Sequence, residues 1–103
     1  MSSTIITREG TTVTVKLCVR LDLASSPEVR EEIEPYLKDA QNLIFDFTDS
    51  DFISSAGLRL LLSAGKKVFS RDGNVRLIHV NETVMNTLKL VNFTEVFDVE
   101  DNP

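Results

Sequence analysis

The side chains of this chain that could do chemistry gather in one stretch, Asp46-Phe47-Thr48-Asp49-Ser50-Asp51-Phe52-Ile53-Ser54-Ser55-Ala56-Gly57-Leu58. Carboxylates at 46, 49 and 51 lead into adjacent hydroxyls at 54 and 55. Acids so spaced could hold Mg²⁺ or accept a phosphoryl group. Residues 49 and 51, however, fall where a turn is expected, and turn acids are usually solvated turn formers. No later strand supplies an evident Lys to clamp a phosphate. If a helix begins at the serines, the hydroxyls meet unpaired backbone N–H groups and a dipole of roughly half a positive charge. The plainest role for Ser54 or Ser55 is then an N-cap contributing about 1 kcal/mol, with Gly57 a close-packing residue of the first turn. A hydroxyl at that place can also carry phosphate.

The remaining reactive residue types offer less. His79 is the single histidine, ends an apolar run, and has no serine placed by sequence to form a nucleophilic pair, so it is expected to be structural. Cys18 stands alone among Val15, Leu17 and Val19, which excludes an internal disulfide and provides no charge to activate a thiolate. Sixteen acidic residues against eleven basic give a formal charge of −5, the wrong sign for a nucleic-acid surface and a better match to a protein partner. The longest apolar run, Leu60-Leu61-Leu62, is far too short to span a membrane, and Met1-Ser2-Ser3-Thr4 lacks the basic and apolar regions of a signal peptide. Cytoplasmic residence, with no membrane contact, is the resulting expectation. Neither a cofactor nor a metal is expected.

These residues must be positioned by the elements around them. With 103 residues and no repeat, low-complexity tract or Gly/Pro-rich linker, the chain is expected to form a single domain over 1–103. Thr4 to Arg8 is short and β-branched, Glu9-Gly10 marks a turn, and Thr12 to Leu21 places Val13, Val15, Leu17, Val19 and Leu21 on one face. Ser25-Ser26-Pro27-Glu28 predicts a helix start, with Glu28 closing a capping box if Ser25 is the cap. The inner stripe of that helix is Val29, Ile33, Tyr36 and Leu37, and Pro35 should kink or end it. Leu43 to Phe47 reads as an inner strand. From Ser55 onward, Leu58, Leu61, Leu62, Gly65, Val68 and Phe69 recur at helical spacing, and Asp72-Gly73-Asn74 stops the helix. Val75 to Val80 is a further strand, and Asn81 can cap a helix with Val84, Met85, Leu88 and Val91 inside. Val96 to Val99 is the last strand.

The order β-β-α-β-α-β-α-β implies parallel neighbours joined by right-handed crossovers. Laying each strand beside its predecessor puts every crossover helix on the same side. The expected fold is therefore α/β, a singly wound β-α superhelix with a mixed, mostly parallel sheet of four to five strands and helices mainly on one face.

Ile53-Ser54-Ser55-Ala56-Gly57-Leu58, following an apolar strand and an acidic turn, resembles the signature of the STAS domain of bacterial anti-sigma-factor antagonists. That signature is Asp-Ser-[Ser/Thr/Ala]-Gly-Leu opening a helix. The resemblance covers almost the whole chain: Leu21-Asp22 is similar to the family's Leu-Asp pair at the end of strand two, and Leu88-Lys89-Leu90-Val91-Asn92-Phe93 to its connection into the last strand. Only the central motif is specific. In the family, the serine after the motif's Asp receives phosphate from a cognate anti-sigma kinase, and Ser55 occupies that position. Ala56 fills the variable slot. Ser54 departs from the pattern, standing where the family usually has Asp, so the carboxylate beside the hydroxyl is missing.

The resemblance implies an anti-sigma-factor antagonist that binds an anti-sigma factor serine kinase when unphosphorylated, is released on phosphorylation at Ser55, and is restored by a PP2C-like serine phosphatase. It implies a binding protein and not an enzyme. The implied partner-binding rim comprises Asp22, Ser54, Ser55, Ala56, Gly57, Arg59 and Ser63. Phosphate adds about −1.5 to −2 charge, and Asp22, Asp46, Asp49 and Asp51 are expected near the same rim, so release by repulsion with little change of fold is expected. Two other readings stand beside this one. The domain could be an interaction scaffold whose Ser55 is never phosphorylated, or a Mg²⁺-dependent, receiver-like domain built on the acidic turn.

Overall fold

The computed structural model describes residues 3–101. The alternating first third folds into a hairpin of β1 (Thr4–Glu9) and β2 (Thr12–Leu17), paired antiparallel with Thr4 opposite Leu17. Gly10 turns the corner at φ +61°, a conformation that a Cβ disfavours. Three strands then add in parallel, β3 (Asn42–Asp46), β4 (Asn74–Val80) and β5 (Asp98–Asp101), each beside its predecessor, so the spatial order is β1-β2-β3-β4-β5. The connections carry α1 (Ser26–Ile33), α2 (Ser55–Phe69) and α3 (Glu82–Leu90). This is the singly wound, mostly parallel sheet that the element order predicts.

The period-two pattern of the strands decides which face is covered. Val13, Val15, Leu17, Leu43, Phe45, Val75 and Leu77 are buried and join one cluster with Val29 and Ile33 of α1, Leu60, Leu61, Ala64 and Val68 of α2, and Val84 and Leu88 of α3. Each such Val, Leu or Phe contributes about 1.5–3 kcal/mol on leaving water, so this layer dominates the fold's stability. The alternate residues Thr14, Lys16, Ile44, Asp46, Arg76 and Ile78 are half-buried on the open face. Pro35 ends α1 as expected, converting its last turn into a 3-10 segment, Glu34–Tyr36, behind which Leu37 is buried.

Several local expectations are corrected. β2 stops at Leu17 rather than Leu21; Val19 is only half-buried, and Leu21 reaches the core as an isolated parallel bridge to Ile53. Cys18 therefore lies just beyond the strand and is half-buried. The capping box does not form. Ser25 precedes α1 without a side-chain cap bond, because its hydroxyl donates to the Arg20 carbonyl, while the Glu28 carboxylate accepts the Ser3 hydroxyl at 2.8 Å. The inner stripe of α2 is rotated to Gly57, Leu60, Leu61, Ala64, Gly65 and Val68, leaving Leu62 half-buried and Phe69 exposed. Val91 is 42% exposed because α3 ends one residue earlier.

β5 begins at Asp98, not Val96. Phe97 turns inward instead and packs edge-on against Phe93 and stacked against Phe69, over Gly65, where a Cβ would come within 2.7 Å of its ring. His79 lies exposed near the end of β4, in a bulge, with φ +56°. Both α2 and α3 close on a left-handed residue, Asp72 and Asn92, with Gly73 N–H donating to Val68 O and Phe93 N–H to Leu88 O.

Candidate functional site

The site is built at the end of the sheet where the parallel strands finish. Asp46 closes β3 by accepting both the amide and the hydroxyl of Thr48 on Oδ1, at 2.9 and 2.6 Å, a local turn that fixes its side chain. Phe47 dives into the core with its amide on the Ile78 carbonyl. The next acids turn outward to separate cations: Asp49 lies 3.4 Å from Lys16 Nζ and Asp51 3.6 Å from Arg20 Nε. The Arg20 guanidinium also rests 4.6 Å from the centre of the Phe52 ring.

The acids of this turn are therefore dispersed, and among the described residues no group of three or more His, Cys, Asp or Glu is arranged to hold a metal. A receiver-like Mg²⁺ site finds no support in that arrangement. The singly wound topology also lacks the strand-order reversal at which such a site would sit.

Two backbone bonds tie the turn to the loop after β2: Leu21 N–H donates to Phe52 O at 3.0 Å, and Ser54 N–H to Leu21 O at 2.8 Å. Asp22 is thereby held beside the start of α2. Its carboxylate accepts the amides of Ala24 and Ser25, at 3.0 and 2.8 Å, and the Ser25 amide first of all holds its pKa below the ordinary carboxylate range. Asn81 joins from the junction of β4 and α3, its side-chain amide donating to the Asp51 carbonyl at 3.4 Å while its side-chain oxygen caps α3 by accepting Val84 N–H.

The two serines divide the work. Ser54 has extended backbone (ψ 179°), and its hydroxyl accepts Gly57 N–H at 3.4 Å, so it is the N-cap of α2. Ser55 is the first helical residue, is exposed, and among the described residues its hydroxyl takes part in no hydrogen bond. Ala56 is half-buried behind it.

Gly57 requires a correction, because it lies beneath the rim and not on it. It is buried, and a Cβ there would stand 2.8 Å from both Leu21 Cβ and Ile53 Cγ1. Arg59 is exposed one turn beyond Ser55. Ser63 is half-buried and accepts a bond from Arg30 of α1 at 3.2 Å, so it faces the α1–α2 seam. The structure thus brings Asp22, Ser54, Ser55, Ala56 and Arg59 to one edge. Sequence reasoning missed the contribution of Arg20, Phe52, Asn81 and Arg30; only Leu21-Asp22, through the family resemblance, signalled the second loop.

Fold and site together define a singly wound α/β domain that presents a serine hydroxyl at the mouth of its longest helix. The model of the STAS domain matches residues 3–103, and the chain belongs to the STAS domain family. Among its relatives is the anti-sigma-B factor antagonist of Bacillus subtilis (strain 168), 21% identical over 87 residues that cover 84% of this chain and 80% of the relative. An anti-sigma-factor antagonist (STAS) domain protein from Planctomyces limnophilus superposes with a TM-score of 0.86 at 17% identity, over 97% of this chain and 91% of the other. SpoIIAA, an anti-sigma factor antagonist of Bacillus, has the same fold in two forms. Its unphosphorylated form gives a TM-score of 0.81 at 18% identity over 93% of this chain and 86% of SpoIIAA, and its phosphorylated form 0.74 at 17% over 93% and 89%. No helix among the described residues is long and apolar enough to cross a membrane.

Proposed function

We propose that this chain is a cytoplasmic anti-sigma-factor antagonist that works as one binding domain and not as an enzyme. Unmodified, it binds an anti-sigma factor of the serine-kinase type; phosphorylation on Ser55 releases it, and a PP2C-like serine phosphatase restores it. The observation that carries this reading is the exposed Ser55 hydroxyl, unengaged among the described residues while Ser54 beside it performs the capping. A kinase can reach such a hydroxyl without dismantling the helix start, and the helix dipole tolerates the phosphate once added. Relatives that are anti-sigma-factor antagonists, one with structures in both phosphorylation states, supply the biological frame.

The electrostatic part of the mechanism differs from a simple crowd of acids. Asp49 and Asp51 each stand beside a cation, Lys16 and Arg20, so a phosphate at Ser55 joins an edge whose acids are partly paired, and it acts on whatever the partner brings to the rim. A partner surface fitted to a neutral hydroxyl meets about two negative charges and added bulk. The contact rim is Asp22, Ser54, Ser55, Ala56 and Arg59, with Ser63 at its margin and Gly57 supporting it from below.

Incubation with ATP and the cognate anti-sigma kinase, followed by mass spectrometry, tests the reading. Phosphate on Ser55, lost in Ser55→Ala, is expected. An untouched Ser55 leaves the alternative of a constitutive scaffold, which the uncharged Ser54 in the motif's usual Asp position favours, and phosphate on another residue overturns the assignment of Ser55.

A further inference from the structure

α2 runs Ser55-Ala-Gly-Leu-Arg-Leu-Leu-Leu-Ser-Ala-Gly-Lys-Lys-Val-Phe69 without one acidic residue, so its cations have no counter-charge on their own helix. Lys67 finds Glu34 of the segment after α1, and elsewhere Arg8, Lys16, Arg20 and Arg76 each have a carboxylate partner. Arg59, like Lys66 further along the helix, has no carboxylate within ion-pair distance among the described residues, and it is exposed. Its neighbours one turn away on the same helix row are Ser55 and Ser63, and Ser63 is occupied by Arg30. Helical side chains lean toward the N-terminus, so a long side chain at 59 covers the turn that holds residue 55. An anion four residues before a cation is also the favourable order of such a pair.

We infer that Arg59 is the intramolecular partner of a phosphate on Ser55, one turn back along α2. This rests on the Ser55 switch proposed above and adds what happens next. Modification then does more than place an anion on the rim: it draws the rim's unpaired guanidinium into an intrahelical pair and removes a cation from the surface offered to the partner. In the hydroxyl form Arg59 remains free to meet a carboxylate of the docking protein.

The test uses the full chain with phosphoserine installed at 55 by semisynthesis, followed by ³¹P NMR as a function of pH in 0.1 M salt. Removing a nearby cation disfavours the dianion, so Arg59→Gln should raise the midpoint of the second phosphate ionisation by about 0.3 unit. Arg59→Lys should recover most of that shift. Lys66→Gln removes the same charge from a place about 16 Å from Ser55 along the helix axis, beyond the screening length of about 10 Å, and should shift the midpoint by less than about 0.1 unit. Equal shifts for Arg59→Gln and Lys66→Gln would overturn the pairing. Because the phosphate is installed chemically, that result leaves kinase modification of Ser55 standing, and a failed kinase reaction leaves this titration valid.

Discussion

Leu21 and Gly57 approach so closely that a Cβ on residue 57 would lie 2.8 Å from Leu21 Cβ and 2.9 Å from the Leu21 carbonyl oxygen. That contact sets the spacing between the loop bearing Asp22 and the helix bearing Ser55. The glycine answers a packing demand here, since its φ lies outside the left-handed range.

Gly57→Ala should therefore destabilise the domain despite the better helix propensity of alanine. Propensity returns about 1 kcal/mol, whereas forcing a methyl against a carbonyl and two packed side chains costs about 1–3 kcal/mol or more. A melting temperature several degrees lower is expected, at about 4–8 °C per kcal/mol for a domain of this size. An equal or higher melting temperature would show that Leu21 and the helix can part without cost.

Ser54→Ala removes the acceptor for Gly57 N–H and should cost about 1 kcal/mol in urea unfolding. Ser54→Asp keeps an acceptor and adds a negative charge at the helix start, so it should equal or exceed the wild type by about 0.3–1 kcal/mol. Identical midpoints for Ala and Ser would mean that the 3.4 Å bond contributes nothing.

Ser50 is 1% exposed, and its hydroxyl has no hydrogen-bond partner among the described residues, while its amide is satisfied by Phe47 O. A buried hydroxyl without a partner costs about 1–3 kcal/mol of desolvation. Ser50→Ala is accordingly expected to raise stability by about 1 kcal/mol in equilibrium unfolding. A fall in the unfolding midpoint would reveal a bond that this hydroxyl makes in solution.

Acid should loosen the packing of β1 on α1. Burial, the largest influence on Glu32, raises its pKa, but the Ser3 amide at 3.0 Å and the Thr4 hydroxyl at 2.6 Å outweigh it and hold the carboxyl below its ordinary value of 4.5. A folded pKa below the unfolded one means stability that is present above the unfolded value and disappears as pH falls through the folded value. Asp22, Glu34 and Asp39 shift in the same direction, through the Ser25 amide, Lys67 and Arg8 respectively. Glu32→Gln should be less stable than wild type at pH 7, and the gap should narrow as the pH falls below the ordinary carboxyl value of 4.5 and on through the lowered folded one. A gap that persists unchanged at pH 3 would contradict the assignment.

Much of this was legible because the local rule and the tertiary contact agree. Pro35 ends α1, Asn81 caps α3 and the serine pair opens α2, each where its own chemistry requires. The sequence left open which serine caps; the extended backbone of Ser54 decides it, and so frees Ser55. Where expectation failed, a distant group had taken the side chain. Ser25 and Glu28 satisfy a local capping box on paper, yet the Arg20 carbonyl and Ser3 claim them. The apolar alternation through Leu21 reads as continued strand, whereas Leu21 has left β2 to pair with Ile53, 32 positions away in the chain. The three acids of the turn look like one cluster until Lys16 and Arg20 separate them.

The account depends on a hydroxyl whose modification decides docking, and calorimetric titration of the cognate anti-sigma kinase addresses that directly. The unmodified domain should bind, and the same chain carrying phosphoserine at 55 should bind weaker by on the order of 100-fold, with both forms giving the same far-UV spectrum and cooperative melting. Equal affinities for the two forms would contradict it.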